Sequence, residues 1–190
     1  MNKRVATVLS IIGHPLLTAA VFAVCMFFHL EEVVVAFRHS IILILGIFLP
    51  LTLRMYMFTK DGVYTNFDVS DQRQRQSWYI FATMLLAVFT VYLFTTNQPH
   101  NLRYSVAGSL ILLIISQLIN FYIKSSLHVS VNVFLGFLMM SVNLAAGLVF
   151  LVFTAVVAQS RLVLQRHTNC EVMAGALIGV TVGLIIFWLL

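Results

Sequence analysis

Apolar runs long enough to cross a lipid bilayer recur along most of this chain, and they restrict its fold more than any other feature. A helix needs about 20 mainly apolar residues to cross about 30 Å of hydrocarbon. The runs lie at about Val5–Phe28, Val35–Phe58, Trp78–Phe94, Leu102–Ile123, Val129–Gln159 and Val172–Leu190. The run 129–159 is long for one span and tight for two. Ser141, Asn143 and Gly147 offer a place to turn, so two short spans are expected there, seven in all; a six-span reading treats part of 129–159 differently. Composition agrees: 61% of the 190 residues are apolar and 9% charged, with a mean hydropathy of +1.01, far from the composition of a soluble domain. The expected fold class is all-α, a polytopic transmembrane helical bundle of six or seven spans. It forms one integral membrane domain over 1–190, with the bacterial inner membrane as the expected location.

The start, MNKR before an apolar stretch, is similar to a signal peptide. Val5–Phe28 is too long for a typical h-region and lacks a small-residue cleavage site, so it is expected to stay as a helix. Pro15 and Pro50 predict kinks in the first two spans. The net charge of +5 is spread over helix ends without a basic tract. That pattern points to lipid head groups as partners and away from nucleic acid. Cys25 and Cys170 build no disulfide framework, and the oligomeric state is not readable. Gly175, Gly179 and Gly183, every fourth residue, predict close helix packing. Gln117, Asn120, Asn132, Asn143 and Gln159 are expected to bond between helices, and Trp78 is expected at a membrane interface.

With seven spans, the segment 60–77, the cluster Lys124–His128 and the cluster Ser160–Glu171 all fall on the face of the N-terminus. That face carries nine of the eleven Lys and Arg residues, all but Arg38 and Arg103, so the positive-inside rule makes it cytoplasmic. Setting aside Arg73, Arg75, Lys124, Arg161 and Arg166, which an anion site would retain, leaves four against two. The side of the active face therefore stays open.

Charged groups at a membrane boundary are a functional signal, and Ser160–Glu171 concentrates them. Arg161 offers a planar fork of donors suited to phosphate oxygens. A helix starting near Thr168 would aim its N-terminal dipole at the same place. His167 and Glu171, four apart, share a face if that helix reaches back far enough, and the carboxylate would then orient the imidazole as nucleophile or base. The structural alternative is a capping box, Thr168-Asn169-Cys170-Glu171, with Arg161 and Arg166 as interfacial side chains. His128, beside Lys124 and Ser126, supplies a second imidazole; its structural alternative is an interfacial first-turn residue capped by Ser126. Two imidazoles among cations suit phosphoryl transfer: one attacks, the other protonates the leaving oxygen. Asp61, Asp68 and Asp71 suggest a metal-dependent membrane transferase as an alternative, although a solvated loop also explains them. His29, His39 and His100 are expected near the opposite face beside Glu31 and Glu32.

Ser160-Arg161, five residues, His167, three residues and Glu171 resembles the third signature of the type 2 phosphatidic acid phosphatase superfamily, which has Asp in the last place. Ser125-Ser126-Leu127-His128 stands where the second signature, Pro-Ser-Gly-His, would fall. Asp68, six residues and Arg75-Gln76 stand where the first, Lys, six residues, Arg-Pro, would fall. The resemblance covers about 66–183. It implies a membrane phosphatase that needs no metal or cofactor, forms a phosphohistidine, and hydrolyses a lipid phosphate or an isoprenoid pyrophosphate. It would make His167 the nucleophile, Glu171 its orienting carboxylate and His128 the general acid. Phosphate would be held by Arg161, Ser160 and Ser126, with Arg75 and, as substitute cations, Lys124 and Arg73. The superfamily's sites face away from the cytoplasm, opposite to the charge count. A non-catalytic protein of the same fold, binding lipid phosphate or serving as an assembly subunit, is the alternative.

Overall fold

The computed structural model describes residues 1–190 and is all-helical. The helices are α1 Lys3–Ile12, α2 Pro15–Leu30, α3 Val33–Leu43, α4 Leu49–Lys60, α5 Gln72–Thr95, α6 His100–Ile119, α7 Leu127–Val142, α8 Leu144–Val163 and α9 Asn169–Leu189. Five segments are long and apolar enough to cross a membrane: 33–60, α5, α6, α8 and α9. A sixth results if α1 and α2 count as one bent span. The expected seventh, α7, has 16 residues. At 1.5 Å per residue that is about 24 Å, short of the bilayer core. The chain is thus an α-helical membrane bundle of five to six candidate spans.

Local chemistry sets the breaks. Gly13 closes α1 and Pro15 opens α2, where a missing N–H costs nothing; the two helices bend by 41°. At Pro50 the ring removes the hydrogen bond to the carbonyl four residues back. There the chain widens into a π-helical turn over Ile44–Phe48. Asp71 Oδ1 accepts the amides of Arg73 and Gln74, each at 2.9 Å, so α5 starts at Gln72, six residues before the expected Trp78. Asn143 is extended (φ −148°) and its side chain caps α8 through the Ala146 amide at 2.9 Å, which splits 129–159 where a turn was expected.

The Cα packing divides the chain into two compact units, Met1–Ala19 with Tyr122–Leu190, and Ala20–Phe121. In the first, α7 is the most buried helix. A Cβ on Gly175 would lie 2.5 Å from the Ser126 carbonyl oxygen, on Gly179 2.5 Å from that of Ser130, and on Gly183 2.6 Å from the Phe137 ring. The predicted glycine stripe therefore lets α9 run parallel to α7 at backbone contact. Helix α8 returns antiparallel: Gly136 meets Leu151, and Gly147 meets Met140. Helix α1 packs on α8, with Gly13 against Val157.

In the second unit, Gln72 Nε2 donates to the Asn120 carbonyl at 2.6 Å, and Asn120 Nδ2 to that of Gln72 at 3.0 Å, fastening α5 to the end of α6. Gln117 accepts from Thr83, a second α5–α6 bond of the expected kind. Trp78 is buried in this unit, with its ring 5.8 Å from that of Tyr79. His39 is also buried: Nδ1 lies 2.9 and 2.8 Å from the two Glu31 oxygens, and Nε2 lies 3.2 Å from the Tyr92 hydroxyl. His29 and His100 are exposed. Helix length separates these fates. His39 sits two turns inside α3, where the Glu31 carboxylate at the α2–α3 turn folds back to it, whereas His29 and His100 sit at helix ends.

Candidate functional site

The turn at Asn143 brings the end of α8 back to the start of α7, and α9 begins at that same end because it runs parallel to α7. Lys124–His128 and Ser160–Glu171 therefore meet within the first unit, irrespective of how many helices cross the membrane. The Ser126 amide donates to the Glu171 carbonyl at 3.0 Å. Lys124 Nζ donates to the Arg166 carbonyl at 3.0 Å. Between α8 and α9 the chain turns tightly. The Leu164 amide bonds Ser160 O, Gln165 takes a left-handed φ of 54°, and the Arg166 amide bonds Arg161 O at 3.0 Å.

His167 lies just outside α9, so no helical i,i+4 geometry links it to Glu171. The capping box does so instead. Thr168 Oγ1 accepts the Glu171 amide, and Glu171 Oε2 reaches back to the Thr168 amide at 3.1 Å. That same oxygen lies 2.9 Å from His167 Nδ1 and 3.7 Å from Lys124 Nζ. The capping and orienting roles, alternatives in the sequence, are thus performed by one atom. A glutamate at this third helical position is long enough to reach the cap. The bond keeps the Nδ1 proton facing the carboxylate and leaves the lone pair of the neutral ring on Nε2. The His167 side chain is 1% exposed and that of Glu171 18%.

His128, in the first turn of α7, is buried. Asn132 Nδ2 donates to its carbonyl at 2.6 Å and to the Gly13 carbonyl at 2.8 Å, an interhelical role of the expected kind. The ring of His14, at the α1–α2 break, stands edge-on to that of His128, centroids 5.0 Å apart and planes at 84°. Ser126 is the N-cap residue by backbone only. Its side chain makes no cap bond, contrary to the capped-helix expectation, and its buried Oγ has no hydrogen-bond partner. Ser160 turns its hydroxyl onto the Val157 carbonyl at 2.6 Å.

Arg161 is 1% exposed, which removes the interfacial alternative for it, and its Nη1 donates to Ser10 Oγ at 2.6 Å. Replacing Ser10 by Ala withdraws an acceptor from a desolvated cation. It is expected to lower the unfolding free energy by about 1.5–3 kcal/mol, measurable by thermal unfolding in detergent. Ser10 escaped the sequence reading, although Ala6, Ser10 and Gly13 form a small-residue stripe on α1 that signals close packing. Asn143 does not bond between helices; it caps α8.

Arg73 and Arg75 belong to the other unit. Arg75 is buried, with Nε donating to the Val69 carbonyl at 3.2 Å. Arg73 is exposed and lines an open groove of about 600 Å³ with Asp71, Gln72, Gln76, Asn120 and Phe121. In the first unit, Lys124, Arg161 and Arg166 with His128 and His167 outnumber the one carboxylate, Glu171. That balance suits an anion. Compared with known proteins, the chain matches no family model, no curated protein and no solved structure.

Proposed function

We propose that the protein is an integral membrane phosphatase that hydrolyses a lipid phosphate or an isoprenoid pyrophosphate through a phosphohistidine, with no metal in the reaction. The observation that carries this reading is the buried His167 held through Nδ1 by Glu171. A carboxylate behind one ring nitrogen makes the other a nucleophile. Nε2 attacks phosphorus, a P–N bond forms, and the P–O bond to the leaving group breaks while His128 gives that oxygen its proton. Water then attacks phosphorus, His128 takes a water proton, the P–N bond breaks and phosphate departs. Arg161 and Lys124 offset charge on the equatorial oxygens. Ser126 Oγ, buried and without a bond, offers a further donor.

The test is phosphate release by the purified full chain from vesicles containing phosphatidic acid or an isoprenoid diphosphate. Release is expected to persist in a chelator and to stop with orthovanadate. No release from either lipid overturns the reading. Release that chelation abolishes would instead favour the metal-dependent transferase class. The non-catalytic alternative draws on the absence of Pro and Gly beside Ser126 and His128. It predicts Arg161-dependent binding of lipid phosphate without turnover.

A further inference from the structure

Resting on that reading, the geometry points to His14 as a positioning residue for His128, supplied from the break between α1 and α2. Three observations carry the assignment, all within one unit of the chain. First, His14 immediately precedes α2, whose first residue, Pro15, has no N–H. His14 Nδ1 accepts the Leu16 amide at 3.3 Å, and its carbonyl takes the amides of Leu17 and Thr18. The imidazole thus does what a short polar side chain does at other helix starts. Second, an Nδ1 that accepts a hydrogen bond carries no proton, so the neutral ring holds its proton on Nε2. Third, that ring stands edge-on to His128 at 5.0 Å. Asn132 fastens the two backbones together through Gly13 O and His128 O.

A general acid must present one nitrogen to the leaving oxygen within hydrogen-bond reach. His128 projects from the first turn of α7, and a histidine ring is free about χ2 unless its neighbours restrain it. The edge of His14 is such a neighbour, at a centroid distance of 5.0 Å. The first helix pair therefore contributes twice to this unit: Ser10 to Arg161, and His14 to His128.

Replacing His14 by Asn separates the two roles. Asn is a good helix cap, so the Leu16 amide keeps an acceptor while the ring facing His128 is lost. Phosphate release from phosphatidic acid vesicles by His14→Asn is expected to fall about 10- to 100-fold in kcat, with KM changed less than about 3-fold. Melting temperature should stay near that of the parent. In nitrogen-15 spectra of histidine-labelled protein, the His128 ring signals should shift or broaden, while those of His167, held by Glu171, stay in place. Unchanged kcat in a parent that turns over overturns the assignment, and so do unchanged His128 signals. If the parent releases no phosphate, the proposed activity fails and the His128 signals alone decide the role of His14.

Discussion

Replacing His167 by Ala is expected to abolish phosphate release, lowering kcat by about 10³-fold or more. Removing a covalent nucleophile leaves only what binding and electrostatic stabilisation contribute, and groups that act as a unit lose most of their effect when one is removed. Glu171→Gln sharpens the experiment. Glutamine completes a capping box as glutamate does, so the Thr168 amide should keep its partner and α9 its start. The charge behind His167 Nδ1 disappears, however, as does the charge 3.7 Å from Lys124. The expected outcome is a loss in kcat of about 10²-fold with little change in melting temperature. Single-turnover phosphate release and thermal unfolding of both variants measure the two effects. Turnover by His167→Ala near the parent rate would exclude His167 as nucleophile. If Glu171→Gln lost stability but no activity, the carboxylate would be a cap alone.

The second large effect concerns packing. In Gly175→Val, Cβ would lie 2.5 Å from the Ser126 carbonyl oxygen and 3.1 Å from its nitrogen. Both are backbone atoms, so no rotamer change relieves the clash and α9 must move off α7. Overpacking of this kind costs about 1–3 kcal/mol. Parting the two helices also strains the Ser126 amide bond to the Glu171 carbonyl, which joins the His128 segment to the His167 segment. A loss of about 3 kcal/mol in unfolding free energy is expected, together with a fall in activity larger than the unfolded fraction explains. The control is Gly46→Ala, where nothing lies within 4 Å of the added Cβ. Its effect should stay within about 0.5 kcal/mol. Equal effects of the two substitutions would show that the α7–α9 contact does not hold the site.

The membrane helices were legible in one dimension because the demand on a span is local: enough consecutive apolar residues. The kink at Pro15, the turn at Asn143, the Thr168 capping box and the glycine stripe of α9 were legible for the same reason. Each is a rule about residues within a few positions of one another. Hydropathy counts residues but not path length through the bilayer, so of the six or seven expected spans five or six stand, with the 16-residue α7 too short. Boundaries shifted where polar residues extend a helix past its apolar stretch, as Asp71 does for α5.

At the site, the sequence by itself determined which residue types stand near Lys124–His128 and Ser160–Glu171, and that His167 and Glu171 lie four apart. Only the tertiary structure decided how they meet: through a cap that folds back from α9, with no shared helix face. It also decided that Arg161 is buried on Ser10, 151 residues away in the chain, and that His14 faces His128. Spacing reports contacts that a single helix or turn imposes. Contacts between distant segments depend on where hairpins return and on which small residues let backbones approach, and those follow from the packing of whole helices.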